Sequence, residues 1–284
     1  MLSVGSDARR IKGFWRSQRW LLLRRLSQLG VLVLFLAGPL AGVWLIKGNL
    51  SSSLLLETIP LSDPFIALQV LASGHQPETN LLIGIAVVAL FYLLLGGRVF
   101  CSWVCPINPV TDLAAWCSRK LGIRRRVAIS RHTRFWILAL CVVMPLLLGM
   151  VVWELVNPVS QFHRGLIFSM GSGWLLVLAL FLFDLFVLPR GWCGHLCPQG
   201  ACYSLLGHQS LLRVRASGRE RCYDCLDCYA VCPEPQVIKP ALKGAGGDLI
   251  TSSQCTNCGR CIDICSVDVF AYGTRPATSM EKQP

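Results

Sequence analysis

Four stretches of this chain are apolar for about the 20 residues that a helix needs to cross a hydrocarbon core: positions 26–46, 81–100, 135–156 and 173–189. Charged residues are pushed into the segments between and around them. Only fully hydrogen-bonded helices cross lipid in such a chain. The pattern therefore predicts an all-α membrane bundle of four transmembrane helices, followed by a C-terminal segment of different character.

Lysine and arginine set the orientation. Arg9, Arg10, Lys12, Arg16, Arg19, Arg24 and Arg25 precede the first apolar run. Arg119, Lys120, Arg124, Arg125, Arg126, Arg131 and Arg134 fill the second loop, whereas the first loop carries Lys47 and the third Arg164. Positive segments stay on the cytoplasmic side, which places both termini and the 101–134 loop there in a multi-pass protein of a bacterial inner membrane. The first run is longer than the apolar region of a typical signal peptide, which favours an uncleaved anchor. The expected organisation is a basic cytoplasmic arm over 1–25, a four-span domain over 26–200, a cluster-binding module over 201–273 and a disordered tail over 274–284.

Composition agrees with a membrane chain: 54% of residues are hydrophobic and 15% charged. The net charge of +12 raises nucleic acid as a partner. The arginines flank apolar runs, so they read as topology signals and contacts to anionic lipid instead, with no nucleic-acid partner.

The candidate chemistry is carried by cysteine. Two C-terminal runs read Cys222-x2-Cys225-x2-Cys228-x3-Cys232-Pro233 and Cys255-x2-Cys258-x2-Cys261-x3-Cys265. This is the thiolate spacing of bacterial two-cluster ferredoxins, in which the fourth cysteine of each run ligates the other run's [4Fe–4S] cubane. Cluster 1 is then assigned Cys222, Cys225, Cys228 and Cys265, and cluster 2 Cys255, Cys258, Cys261 and Cys232. Ser266 stands where Pro233 stands in the first run, a departure that touches chain shape rather than ligation. A disulfide framework or zinc are the alternatives, but zinc needs four thiolates per site and rarely uses this triple spacing. The expected module is an α+β ferredoxin-like domain with two [4Fe–4S] clusters, and the expected activity is electron transfer, with no residue assigned a catalytic role.

A second motif occurs twice. Cys101-x3-Cys105-Pro106 follows the second apolar run and Cys193-x3-Cys197-Pro198 the fourth, each cysteine recurring 92 positions later. The repeat suggests a duplicated two-helix unit, of the kind that puts functional groups at a repeat interface. If the segments are helical, each pair shares one face. Two readings stand: a redox-active or metal-binding site of Cys101, Cys105, Cys193 and Cys197, or structural thiols at helix ends. Cys117, Cys141 and Cys202 are assigned to packing.

Four spans, two C-x3-C-P motifs, the cytoplasmic cubane runs and the phrase Cys232-Pro233-Glu234-Pro235-Gln236-Val237-Ile238 together resemble the NapH family, the ferredoxin-type membrane subunits of the periplasmic nitrate reductase system. Regulators of nitrous oxide reductase, accessory proteins of cytochrome oxidase copper assembly and a methylamine-utilisation family share the architecture, the first two usually with large extra domains that this chain is too short to hold. The resemblance implies a quinol dehydrogenase subunit, taking electrons from the quinol pool and passing them through a periplasmic iron–sulfur protein of the same system towards nitrate reductase. A role in maturation, reducing a metal or thiol of a respiratory enzyme, is the alternative, with the C-x3-C-P pairs as working dithiols. Ionisable groups within a membrane are functional candidates by default. Asp184 in the fourth span is the clearest, and Glu154, His163 and Arg164 gather at the outer ends of spans three and four, with hydrated interfacial residues as the plainer reading.

Overall fold

The computed structural model describes residues 4–123, 127–168, 171–244 and 247–275. Arg124–Arg126 of the basic loop, Gly246 and the tail from 276 onward lie outside them. The fold is mostly helical and divides into two compact units.

The first unit comprises Met1–Ser27, Tyr92–Val104 and Ser204–Pro284. Its core is built on Val214, Ile238, Ile250, Val269 and Phe270, with Cys228, Cys261 and Cys265 inside the same apolar cluster. The region after Cys197 is ordered although Gly207, Ser210 and Gly218 punctuate it. A helix covers Pro198–Leu206, and a strand over Leu212–Arg215 pairs antiparallel with Ala271–Thr274, Val214 opposite Tyr272. The strand was masked in the sequence because Arg213 breaks its apolar run, yet the Arg213 guanidinium is buried and satisfied by the carbonyls of Ser252 (2.9 Å) and His208 (3.1 Å).

The N-terminal arm also belongs to this unit. Helix α1 (Ser6–Ala41) is broken at Gly13 (φ 78°). The Asp263 carboxylate accepts from the Trp20 and Leu21 N–H groups at 3.0 Å each, and Lys12 donates to Ile262 O at 3.3 Å and pairs with Asp268. The arm's charges therefore include contacts to protein as well as any to lipid.

The second unit comprises Gln28–Phe91 and Cys105–Tyr203. Strands β1 (Ile46–Gly48), β2 (Ser52–Leu55) and β3 (Ile59–Ser62) form an antiparallel meander that no period in the sequence announced, and α2 (Pro64–Ala72) follows. The apolar runs appear as α3 (Thr79–Leu95), α6 (Thr133–Leu148) and α9 (Gly171–Phe186). Between them lie α4 (Val99–Trp103), α5 (Ile107–Lys120), α7 (Trp153–Val156) and α8 (Pro158–Phe168). Helices α5 and α8 pack on α9, and α2 packs on α6.

These apolar helices are shorter than their sequence runs. Gly149 takes a left-handed conformation (φ 67°) that ends α6, Gly96 and Gly97 follow α3, and Pro189 follows α9. Helix α1 alone among the described residues is long and apolar enough to cross a membrane by length and composition; α3, α6 and α9 hold 17, 16 and 16 residues. At 1.5 Å per residue they reach about 24–26 Å. Their outward faces are nevertheless apolar: Leu82, Leu90 and Phe91 on α3, Trp136, Leu140 and Leu147 on α6, and Leu175 and Leu178 on α9 are exposed. Exposed apolar area on that scale marks a surface that meets something other than water.

Candidate iron–sulfur sites

Each cysteine run is built the same way. In Cys222–Cys228 the left-handed residues are Asp224 (φ 60°) and Leu226 (φ 63°), and in Cys255–Cys261 they are Asn257 (φ 46°) and Gly259 (φ 70°). Left-handed turns at the same two positions wrap each loop around a hollow. Gly259 is required twice over, because a Cβ there would also sit 2.5 Å from the Trp20 ring. A five-residue helix then carries the third cysteine, Asp227–Val231 in one run and Arg260–Ile264 in the other. Each helix ends on the fourth cysteine, Cys232 or Cys265, in extended conformation. Packing of these two helices on each other points each fourth cysteine at the other run's loop.

Two cavities result. One, of about 390 Å³, is lined by Cys222, Cys225, Cys228 and Cys265. The second, of about 360 Å³, is lined by Cys232, Cys255, Cys258 and Cys261. The rest of each wall is mainly apolar, with Leu242, Ile264, Val269 and Phe270 in the first and Val214, Val237, Ile238 and Ile250 in the second.

The donor set suits a four-iron cubane. Among the described residues no three Cys, His, Asp or Glu groups gather as tightly as one metal ion needs. The cysteines instead ring a hollow, which matches a cluster presenting iron at four corners and does not match zinc at 2.3 Å from every sulfur. Burial pushes the Cys228 thiol up to about 12 and Cys255 up to about 11, and neighbouring thiols add to both. Uncompensated thiolates are costly there, so a cation must displace their protons. Cys265 Sγ also accepts from the Val269 N–H at 3.3 Å, the kind of bond that tunes a cluster's potential.

The second loop is held by the first C-x3-C-P segment. Ser102 Oγ donates to Thr256 O at 2.6 Å and Trp103 Nε1 to Asn257 O at 3.1 Å. The Asn257 amide donates to Leu95 O at 2.9 Å, satisfying a carbonyl at the C-terminus of α3 that has no partner within the helix. Sequence reasoning missed Ser102, Trp103 and Asn257, because nothing local marks a contact across about 150 positions.

The C-x3-C-P pairs do not lie on continuous helices. Cys101 is within α4 but Cys105 falls after its end; Cys193 is in a π-helical turn (Trp192–Leu196) and Cys197 is extended. The helical-face expectation fails because Pro106 and Pro198 each stand at the start of a new helix. Cys101 belongs to the first unit, and Cys105, Cys193 and Cys197 to the second. Thr111 Oγ1 lies 3.7 Å from Cys193 Sγ, and the Gly200 N–H donates to Cys197 Sγ at 3.4 Å.

Of the ionisable candidates, Asp184 is fully buried and accepts from the Trp192 N–H at 3.0 Å. His163 is buried against the Phe35 ring at 5.7 Å, Glu154 is half-buried, and Arg164 is only partly covered. The carboxylate the sequence reading passed over is Asp63. It caps α2, accepts from the Phe65 N–H at 2.8 Å and from the Tyr203 hydroxyl at 3.2 Å, and is bonded by Gln199. An Asp-Pro pair before an apolar run is a helix-start signal that was available.

Comparison with known proteins matches this layout. A family described as a 4Fe-4S binding domain matches residues 79–124 and 166–219, each segment holding one C-x3-C-P motif, and a 4Fe-4S dicluster domain matches 215–266. The chain is 51% identical to the ferredoxin-type protein NapH of Escherichia coli over 96% of this chain and 95% of that one, and 51% identical to NapH of Haemophilus influenzae over 96% of each. It is 54% identical to the methylamine utilization ferredoxin-type protein MauN of Methylorubrum extorquens over 93% of this chain and 92% of the relative. No solved structure matches.

Proposed function

Because the chain belongs to the family of NapH-type ferredoxin proteins, and is an iron–sulfur electron-transfer protein on that ground, we propose that its electron donor is membrane quinol. Cys222, Cys225, Cys228 and Cys265 hold one [4Fe–4S] cluster, and Cys255, Cys258, Cys261 and Cys232 the other. When bound, each supplies a one-electron acceptor. The protein then sits in a bacterial inner membrane with α1, α3, α6 and α9 as its spans and both termini cytoplasmic. Its partner is a periplasmic iron–sulfur protein of the same system, implied by the family.

One observation carries the reading: Asn257, inside the second cysteine loop, caps α3, whose outward face is apolar. A cysteine loop fastened to the end of a lipid-facing helix suits a donor that is itself dissolved in lipid. Spans this short are accommodated by a locally thinned bilayer or by flanking residues that reach the interface.

Adding a short-tail quinol such as duroquinol to the anaerobically purified, oxidised protein is expected to bleach its iron–sulfur absorbance and to raise the spectrum of the reduced clusters in electron paramagnetic resonance. If quinol leaves both signals unchanged while dithionite reduces them, the donor is something else.

A second reading has its own support. The similarity to MauN matches that to NapH, so the shared activity is not tied to nitrate. In that reading the four C-x3-C-P thiols deliver electrons to a metal or thiol of a maturing enzyme. Reduced protein that is reoxidised by a disulfide or a copper salt, but not reduced by quinol, supports it.

The C-x3-C-P cysteines are proposed as redox or metal ligands in either case, since the 4Fe-4S binding domain family matches both segments. Replacing Cys101 and Cys193 together by serine is expected to lower the metal content of the purified protein below that of the parent. An unchanged count assigns those thiols to structure.

A further inference from the structure

We propose that Asp63 and Glu154, joined through Ser51 in the second unit, take the two protons of quinol, while the Gln69 amide and the Trp153 indole hold its head group. The inference rests on the quinol reading above and assigns that reading a site.

Asp63 is buried, and its partners among the described residues are neutral: the Phe65 N–H, the Gln199 amide and the Tyr203 hydroxyl. Its own N–H donates to Ser51 O at 2.9 Å. Ser51 Oγ in turn donates to Glu154 Oε2 at 3.2 Å, and the Asn157 amide reaches the same oxygen at 3.4 Å. Neither carboxylate has a cationic partner among the described residues. A buried carboxylate is ordinarily paired with a cation, because its desolvation is otherwise uncompensated. Asp63, buried without one, is suited to carrying a proton.

Three buried polar atoms of this region have no protein partner among the described residues: Gln69 Nε2, Trp153 Nε1 and Glu154 Oε1. Gln69 is fixed by its other end, since its Oε1 accepts from the Trp153 N–H at 3.1 Å. Two orphan donors and one orphan acceptor call for a ligand that can accept and donate at once. A phenolic hydroxyl does both. The surrounding rings suit a flat head group, with Phe65 at 5.8 Å from Trp153 edge to face and Trp192 stacked on Trp153 at 6.3 Å.

The chemistry balances. Quinol loses two electrons and two protons to become quinone. One O–H proton passes to each carboxylate, and the electrons pass singly to the two one-electron iron–sulfur acceptors. Both carboxylic acids then release their protons to water.

The groups facing Asp63 are Glu154 of α7 and Tyr203 and Cys202 of the Pro198–Leu206 helix. Burial raises the Asp63 carboxyl to about 6, with the Glu154 charge adding to the rise. Burial and Asp63 push the Cys202 thiol up to about 12, so it stays neutral. Only ionised Asp63 accepts a proton, so quinol oxidation is expected to rise with pH through about 6.

The test uses the full cluster-loaded chain with duroquinol. Asp63→Asn and Glu154→Gln are each expected to slow quinol-driven cluster reduction by about 100-fold or more, within the usual range for a lost general base, while dithionite still reduces the clusters fully. Gln69→Leu is expected to raise the quinol concentration needed for half-maximal rate. A second readout is independent of turnover: infrared spectra of the parent protein titrated from pH 5 to 8 are expected to lose a protonated-carboxyl C=O band that is absent in Asp63→Asn. If the parent is reduced by quinol but both carboxyl variants match its rate and pH profile, water fills this site and the inference fails. A parent that quinol does not reduce overturns the donor assignment instead. Should Asp63→Asn not fold, the rate and pH profile of Glu154→Gln still decide.

Discussion

Replacing Cys261 by serine is expected to cut the iron of the purified protein by about half, from about eight to about four atoms per chain for two cubanes. Cys261 is buried in the second cavity and belongs to the apolar core of the first unit as well. Its loss therefore removes a cluster and leaves the core around a hollow of about 360 Å³. Binding energy at a site that does not exist in the unfolded chain is folding energy, so the first unit should also unfold at markedly lower denaturant. Iron and sulfide assays with urea unfolding followed by circular dichroism check both effects. Cys141→Ser is the control: Cys141 packs beside Leu138 in the second unit and lines neither cavity, so its iron count should match the parent. Equal iron in the two variants would remove the ligand assignment.

The other large effect is expected at Arg98. Its guanidinium pairs with the Glu234 carboxylate, both groups nearly fully buried, and also donates to Gln254 O at 3.1 Å. Glu234 follows Cys232-Pro233 and so fixes the segment that presents a cysteine to the second cavity. Arg98→Met takes the cation from a buried carboxylate that keeps the Gln236 amide, and breaking such a pair by removing one partner costs about 3–5 kcal/mol. The double replacement Arg98→Met, Glu234→Leu should recover most of that loss, since an apolar pair of similar volume is often neutral or better. Chemical denaturation of Arg98→Met, Glu234→Leu and the double variant measures the coupling. Arg98→Met should also perturb the electron paramagnetic resonance signal of one cluster and not the other, because Cys232 lines only the second cavity. Additive effects across the cycle would show that the two groups do not depend on each other.

The cysteine grouping was legible because the intervals within each run are a local ruler. The x2, x2, x3 intervals set the loop and helix lengths, and the four residues they group line one cavity each. The apolar helices were legible for a similar reason, since a run of 16 or more apolar residues has few other fates. Their ends were placed less well. The ends are set by Gly149 and Pro189, and by the glycines after Leu95, rather than by where hydropathy declines.

Other features left little local trace. The strand Leu212–Arg215 exists because Ala271–Thr274 pairs with it from about 60 positions away, and the arm's attachment depends on Asp263 reaching Trp20 and Leu21. Asp63 carried no sequence signal beyond that of a helix start. Only packing against Gln199 and Tyr203, about 140 positions on, buries it.

Residue identity and spacing by themselves determined that this chain carries two sets of four thiols and several lipid-compatible helices, because both are short-range properties measured along the backbone. Tertiary structure decided which carboxylates lose their water, which loop caps α3 and which arginine pairs with Glu234. Those outcomes depend on desolvation by residues distant in the chain, and no local pattern encodes which distant residue arrives.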